Sequence, residues 1–226
     1  MNILVIAAHP DDEVLGCGGT IARLASEGNT VSILILGEGV TSRYENPADA
    51  DSAEIEKLHA QAVAIGTSLG ATEVSLAKLP DNRFDTIAML DIVKIIEEHV
   101  DRIKPEIVYT QHGGDLNIDH NCTFRAVLTA TRPMEGSPVK KVLSYYVGSS
   151  SEWAFEQFDP VFRPTVFTDI TATLDKKIAA MESYEGEARA FPHPRSAQAL
   201  RAQAEYFGSI AGLHAAETFH LIREVE

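Results

Sequence analysis

Cysteine, tryptophan and positive charge are all scarce in this sequence. Two cysteines in 226 residues, Cys17 and Cys122, cannot form a disulfide framework, so we expect reduced, buried thiols. The apolar run near the N-terminus, Ile3–Ala8, is too short for a signal peptide or a membrane span, and no basic segment precedes it. The sequence therefore predicts a cytoplasmic protein without an integral membrane segment.

The shortage of positive charge excludes whole classes of partner. The chain has 33 acidic residues against 19 Lys and Arg, which gives a net charge of −14. Nucleic acids and anionic membrane surfaces both require a basic footprint, so we expect no nucleic acid partner. Most of the surplus carboxylates fit a solvated shell, although a few of them could bind a cation.

The order of apolar runs and amphipathic stretches predicts an α/β fold with a mostly parallel sheet, because strands alternate with helices. The predicted strands are Asn2–Ala8, Thr30–Leu36, Thr72–Leu76, Ile107–Thr110 and Val139–Val147. The predicted helices are Leu15–Glu27, Ala53–Leu69, Thr86–Ile103 and Thr123–Thr131.

The pattern weakens after about residue 150. We expect a strand at Thr165–Asp169 and helices at Thr173–Tyr184 and Ser196–Ser209. We expect His214 and His220 to lie on a further helix and to have structural roles. The chain shows no linker or repeat, so residues 1–226 are predicted to be one domain with its last part an elaboration.

A first polar cluster, His9-Pro10-Asp11-Asp12-Glu13, follows the first strand directly. Ligands bind beyond the carboxyl ends of parallel strands, which is where this cluster lies. A turn would explain Pro10 and one acid. It would not explain an imidazole and three carboxylates together, because like charges this close oppose one another's ionisation unless a cation is present. We therefore favour a divalent metal site over a turn.

The glycines after this cluster, Gly16, Gly18 and Gly19, resemble a dinucleotide-binding loop only in part. The third glycine falls one place early for that fingerprint, and acids stand where a pyrophosphate would lie. We expect these glycines to let the start of a helix lie close to the site.

A second polar cluster, residues 112–121, follows the fourth strand and holds two histidines and two aspartates. The first and fourth strands can be neighbours where a doubly wound sheet reverses its order, so both clusters would face one crevice. His9, one Asp of the first cluster and His120 would supply three ligands for a hydrolytic zinc site. The remaining Asp would act as the general base on the bound water.

These motifs resemble the PIG-L/LmbE-like family of zinc-dependent N-acetylglucosaminyl deacetylases. The resemblance rests on Ala8–Glu13, Gly37–Gly39, Asp115–His120, Pro192–Ser196 and Ala216–Phe219, and so covers nearly the whole chain. It implies a Rossmann-like three-layer sandwich that hydrolyses the N-acetyl group of an amino sugar or its conjugate.

Carried over by position, the resemblance assigns the metal ligands to His9, Asp12 and His120, and the general base to Asp11. Glu13 and Asp119 would support the metal loop. Zn²⁺ is the expected cofactor, and Fe²⁺ or Co²⁺ would fit the same ligands.

The sequence departs from the family at Asn117, where many members have a histidine that acts as acid or stabilises the oxyanion. Asparagine can donate a hydrogen bond but cannot carry the proton, so we propose His112 for the missing role. The identity of the acid stays open, and either His112 or Asn117 would help to stabilise the oxyanion. Arg43, Asn117, His193 and Arg195 are expected to contact the substrate, although Arg43 could equally be a surface residue.

Two other functions stay open. The family includes a metal-dependent hydratase of an unsaturated dicarboxylic acid, which would need several pocket arginines; the loop candidates are Arg43, Arg83 and Arg195. A noncatalytic, nucleotide-binding Rossmann module is the other alternative. The sequence names neither the amino sugar nor the oligomeric state, although a homo-oligomer is possible by analogy with relatives.

Overall fold

The structure, a computed structural model, describes residues 1–226 and contains one seven-stranded sheet. The strands are β1 Asn2–Ala7, β2 Thr30–Gly37, β3 Glu73–Leu79, β4 Ile107–Gln111, β5 Lys141–Tyr145, β6 Val166–Asp169 and β7 Ala216–Glu224. The helices are α1 Asp12–Ser26, α2 Ser52–Ser68, α3 Met89–Ile103, α4 Ile118–Ala130, α5 Leu174–Glu182 and α6 Ala197–Ile210.

The sheet has the order β3-β2-β1-β4-β5-β7-β6. Strands β1 to β5 are parallel, and β7 runs antiparallel between β5 and β6. This confirms the predicted mostly parallel α/β fold. The chain builds outward from β1 to β3 and then returns to place β4 beside β1, so a crevice opens at the carboxyl ends of β1 and β4.

Both faces of the sheet are covered, which gives three layers. Along β1, Ile3 and Val5 pack with α1, α2, α5 and α6 on one face. Leu4 and Ile6 pack with α3 and α4 on the other. Burial on both faces explains why β1 is a continuous apolar run rather than an alternating one.

Two predicted helices differ from the structure. Residues 216–224 form strand β7, so the helix predicted to hold His220 is wrong; the Thr218-Phe219-His220-Leu221-Ile222 run is rich in residues that favour strands. Helix α4 begins at Ile118 rather than Thr123, because the side chain of Asn117 caps it by accepting a hydrogen bond from the Asp119 amide at 2.8 Å.

Helix α1 lies close against the sheet where its glycines occur. A β-carbon at Gly16 would lie 2.2 Å from the ring of Tyr145, whose hydroxyl donates a 2.7 Å hydrogen bond to the Ile6 carbonyl. The lack of a side chain at Gly16 therefore sets the distance between α1 and the sheet, and α1 carries the first polar cluster at its start.

A buried ion pair also holds α1. Lys177 donates hydrogen bonds to Glu217 at 2.6 Å and to the Leu15 carbonyl at 2.8 Å. Glu217 accepts hydrogen bonds from the backbone amides of Gly19 and Thr20 at 2.9 and 2.7 Å. The pair thus joins α5 and β7 to α1 and leaves neither buried charge without partners.

Both cysteines are free and buried. None of the helices combines the length and the apolar character needed to cross a membrane.

We predict that Gly16→Ala lowers the free energy of unfolding by about 1–3 kcal/mol, because its methyl group meets a Tyr145 ring that is packed on all sides. Gly148→Ala is the matched control, since its methyl group would make only ordinary contact with Pro194 at 3.8 Å. Urea unfolding of the two variants measures the difference. Equal stability of both variants would contradict the role given to Gly16.

Candidate functional site

The two polar clusters meet at the carboxyl ends of β1 and β4. His9 follows β1 by two residues, and Asp12 is the first residue of α1. His120 lies in the first turn of α4, after the loop that follows β4. Because β1 and β4 are adjacent in the sheet, residues more than a hundred positions apart in the chain come into contact.

His9, Asp12 and His120 form a triangle of possible metal ligands. The Oδ2 atom of Asp12 lies 3.4 Å from His9 Nδ1 and 3.2 Å from His120 Nε2. Two ligand atoms each about 2.0–2.1 Å from a tetrahedral zinc ion would lie about 3.3 Å apart. The spacing and the nitrogen and oxygen donors therefore fit a divalent ion.

The other nitrogen of His9 is held by a carboxylate. His9 Nε2 lies 2.9 Å from Asp119 Oδ2 and 3.2 Å from Asp81 Oδ1. Asp119 also accepts hydrogen bonds from the amides of Asn82 and Phe84 at 2.7 and 2.9 Å. These bonds hold Asp119 in place as the hydrogen-bond acceptor at Nε2 of His9. The other ring nitrogen of His9, Nδ1, is therefore free to bind a metal.

His120 has the same arrangement on its far side. Its Nδ1 atom lies 3.1 Å from Asp115 Oδ1, and Asp115 also accepts hydrogen bonds from the hydroxyls of Ser150 and Ser151. No role was predicted for Asp115 itself. Each histidine of the triangle therefore has at least one carboxylate at each of its ring nitrogens.

The charges in the triangle depend on one another. Burial opposes ionisation of Asp12, but His120 and His9 outweigh it and hold the pKa of Asp12 well below its usual range. Burial also opposes charge on His120, but Asp12 and Asp115 raise its pKa to about 10. Without a cation the cluster balances its carboxylates with protons on the imidazoles, and a bound dication would replace those protons.

Asp11 has an uncommon backbone conformation beside this triangle, with φ at 112°. Its amide donates a 3.1 Å hydrogen bond to Glu13, and Glu13 in turn accepts one from the Tyr184 hydroxyl at 2.5 Å. A non-glycine residue keeps such a conformation only where its surroundings enforce it. Buried Glu13 supplies that constraint and so fixes where the Asp11 side chain points.

The Asp11 carboxylate faces Arg195, whose Nη1 lies 2.6 Å from Oδ2. Burial raises the pKa of Asp11 well above its ordinary value, while Arg195 opposes that rise. Arg195 also binds Ser149 and Glu187, at 2.7 and 3.0 Å. The buried Glu187 accepts a further bond from Arg43, so one acid joins the two predicted substrate arginines.

These residues line a cavity of about 310 Å³. His9 and Asp11 line this cavity. So do all four residues that were predicted to contact the substrate, which are Arg43, Asn117, His193 and Arg195. Apart from the prolyl ring next to His9, its one large apolar surface is Trp153, the only tryptophan of the chain, which packs edge-on against the His193 ring at 5.6 Å. The cavity is therefore polar, with an aromatic surface at one side.

His112 does not join this cluster, which corrects the role predicted for it. Its Nε2 lies 2.5 Å from the Pro160 carbonyl and its Nδ1 lies 3.2 Å from Ser144, in a different cavity. The preceding residue, Gln111, points to the site instead and donates to Asp12 at 3.0 Å. Gln111 is the last residue of β4 and contacts the triangle, whereas His112, directly after it, lines the other cavity.

Four polar residues that hold the triangle or join the two arginines were not predicted from the sequence. Asp81 accepts hydrogen bonds from the Ser42 amide, at 3.2 Å, and from the Ser42 hydroxyl, and so ties the turn that carries Arg43 to His9. Asp81 follows β3 and could have been found by the rule that placed the other clusters. The other three are Gln111, Asp115 and Glu187.

Comparisons with known proteins agree with this architecture. Residues 4–131, more than half of the chain, match the PIG-L family, described as GlcNAc-PI de-N-acetylase. An uncharacterized deacetylase of Escherichia coli, YaiS, is 28% identical over 81% of this chain and 90% of its own length. The 4-oxalmesaconate hydratase of Pseudomonas putida is 27% identical over 82% of this chain and 74% of its own length.

Among solved structures, the conserved protein TT1542 from Thermus thermophilus superposes with a TM-score of 0.76 at 25% identity, over 100% of this chain and 96% of that one. The fold, the order of the motifs and the family match agree, and the chain belongs to the PIG-L family of deacetylases.

Proposed function

We propose that this protein is a metal-dependent hydrolase that removes the N-acetyl group from an amino sugar or an amino-sugar conjugate. The observation that carries the proposal is the triangle of His9, Asp12 and His120, next to which His9 and Asp11 line one polar cavity. Membership of the PIG-L family, described as GlcNAc-PI de-N-acetylase, also supports an N-deacetylase activity.

The metal ligands in this proposal are His9, Asp12 and His120, and zinc is the ion we expect. A divalent ion held by these residues would lower the pKa of a bound water towards about 7 and would polarise the acetamide carbonyl. Three protein ligands would leave a position open for that water. Fe²⁺ or Co²⁺ would suit the same donors.

Asp11 accepts the proton of the attacking water in this mechanism. Burial raises its basicity, whereas Arg195 holds the carboxylate in place and limits that rise. Asp11 then carries the proton that the leaving nitrogen needs, so one residue serves as base and afterwards as acid. This removes the need for a histidine at position 117.

Asn117 supplies a neutral hydrogen-bond donor. Its side-chain oxygen caps α4, which leaves the amide nitrogen on the side of the cavity, 3.1 Å from Asn82 Oδ1. We assign to this NH₂ group the stabilisation of the oxyanion, in place of the role first given to His112.

The charges of the cavity favour a neutral substrate. Arg43 and Arg195 are already paired with Glu187 and Asp11. Arg189, which the sequence did not single out, also lines the cavity and bonds only to backbone carbonyls. A pyranose ring suits this lining, since its hydroxyls can bond to the polar side chains and its C–H face can pack on Trp153.

Hydration of an unsaturated dicarboxylic acid is the second candidate, and the hydratase of Pseudomonas putida among the relatives favours it. A dicarboxylate would need free cations in the cavity. Arg83 does not line the cavity, and two of the three arginines that do are bound to acids. The ion pairs therefore favour the amide substrate.

We predict that the protein, loaded with zinc, releases acetate from soluble N-acetyl amino sugars or their glycosides. An enzymatic assay measures acetate release from such compounds. A parallel assay follows the absorbance of an unsaturated dicarboxylic acid, and together the two assays separate the two reactions. Removal of the metal by a chelator should abolish turnover, and added Zn²⁺ should restore it. Loss of the double bond without acetate release would replace deacetylation by hydration. Absence of both turnover and bound metal would indicate a noncatalytic module.

We predict that Asp11→Asn lowers kcat by about 10²–10⁴-fold while the protein keeps its metal, because the amide cannot accept the proton. Asp12→Asn is the contrasting variant, since it changes a ligand and should lose metal. Metal content and kcat are measured on the same samples. Loss of metal from Asp11→Asn but not from Asp12→Asn would show that the two roles are exchanged.

We predict that Asp115→Asn weakens metal binding by about 10–100-fold, because His120 loses the carboxylate that orients its ring. Asp101→Asn, an exposed acid on α3, is the control for loss of one negative charge. Competition with a chromogenic chelator measures the affinity without any need for substrate. Equal affinities in the two variants would limit Asp115 to fixing the loop of Ser150 and Ser151.

A further inference from the structure

A second cavity lies on the far side of the segment that carries Trp153. Its volume is about 470 Å³, larger than that of the cavity with the metal ligands. It opens between the segment 154–164, the end of β5 and the C-terminal half of α6. His112, the histidine that the proposed mechanism does not use, lies at its base.

Five aromatic side chains line this cavity. Tyr146 packs edge-on against Phe162 at 5.6 Å and against Phe207 at 6.0 Å, with interplanar angles of 63° and 72°. Tyr206 packs on Phe207 at 5.5 Å, and Phe158 closes another side. Since all five rings line the cavity, several ring faces and edges are available to one ligand.

The only charged side chains that line the cavity are acidic. Glu152 and Glu156 line the cavity, and its lining includes no Lys or Arg. Glu152 is held in place by the Tyr146 hydroxyl at 3.0 Å and the Ser149 amide at 2.6 Å, while Glu156 is exposed. Burial lowers the pKa of His112, so its imidazole adds no positive charge at neutral pH.

We propose that this cavity is a binding site for a small organic cation, of the alkylated ammonium type, held by the five aromatic rings and the two glutamates. The faces of aromatic rings attract cations, and the attraction is largest where the cation is removed from water. Alkylated ammonium groups lose less hydration than Lys side chains, and their methyl groups pack on the rings.

The composition of the cavity decides against other ligands. An anion would meet two carboxylates without a cation to compensate them. An uncharged apolar ligand would gain from the rings but would leave the glutamates unused. A second copy of this chain carries a net charge of −14 and would bring further acids towards Glu152 and Glu156. Charge complementarity therefore selects a cation.

The experiment compares choline with its uncharged carbon isostere, in which a tert-butyl group replaces the trimethylammonium group. Ligand-observed NMR titration on the full chain measures both dissociation constants. We expect saturable binding of choline, about tenfold tighter than that of the isostere, because only choline carries the charge that rings and glutamates attract. Equal affinities, or no saturable binding of choline, would overturn the proposal.

Two exposed positions test the site itself. Tyr206→Leu removes one ring and keeps an apolar side chain, and Glu156→Gln removes one charge. Each should weaken choline binding several-fold, and Glu156→Gln should leave binding of the isostere unchanged. Phe191→Leu and Glu185→Gln are the matched controls, since both residues are exposed and lie outside this cavity.

Asp11→Asn separates this cavity from the one with the metal ligands, and it should leave choline binding unchanged. Loss of choline binding in Asp11→Asn, with no effect of Tyr206→Leu, would place the cation in the other cavity and overturn the proposal. A Tyr206→Leu variant that changes the oligomeric state in sedimentation, with no choline binding to the parent chain, would show a contact between chains instead. Thermal unfolding of each variant confirms that it is folded.

Discussion

The site depends on one constraint, which is that several carboxylates are buried together and each must be compensated. A buried charge without a partner costs several kcal/mol, so such a cluster persists only with cations, protons or hydrogen bonds in defined positions. The structure meets this requirement with two imidazoles, two arginines and a series of hydroxyls and backbone amides. The buried acids of this cluster are Asp11, Asp12, Glu13, Asp81, Asp115, Asp119 and Glu187.

The compensation divides these acids into different chemical roles. Asp119 receives two backbone amides and a ring nitrogen, so its charge is used for orientation. Asp12 shares one oxygen between two imidazoles, which is the arrangement that a divalent ion can replace. The Asp11 carboxylate has one charged partner, Arg195, and lies next to the triangle. It is therefore available for the proton transfer that we propose. In the proposed mechanism, Asp11 and Asp12 therefore differ in function because their neighbours differ.

Much of the fold could be predicted from the sequence, because strands β1 to β5 are apolar runs or strand-like segments between amphipathic helices. Strand β7 was missed because it pairs with segments far away in the chain, and local periodicity does not report such pairing. Within the site, the carboxyl-edge rule found the clusters after β1 and β4. The same rule applied to β3 would have found Asp81. Glu187 lies in a loop with no local signal, and only the tertiary structure brings it to Arg43 and Arg195.

The segment after β5 connects the two cavities physically. Ser150 and Ser151 bind Asp115, which orients His120, while Ser149 binds Arg195, which faces Asp11. In the same short stretch, Trp153 lines the polar cavity and Glu152 lines the aromatic one. The wall between the cavities is therefore fixed by the carboxylate that holds a candidate metal ligand, so the position of that wall and the geometry of the metal ligands are not independent.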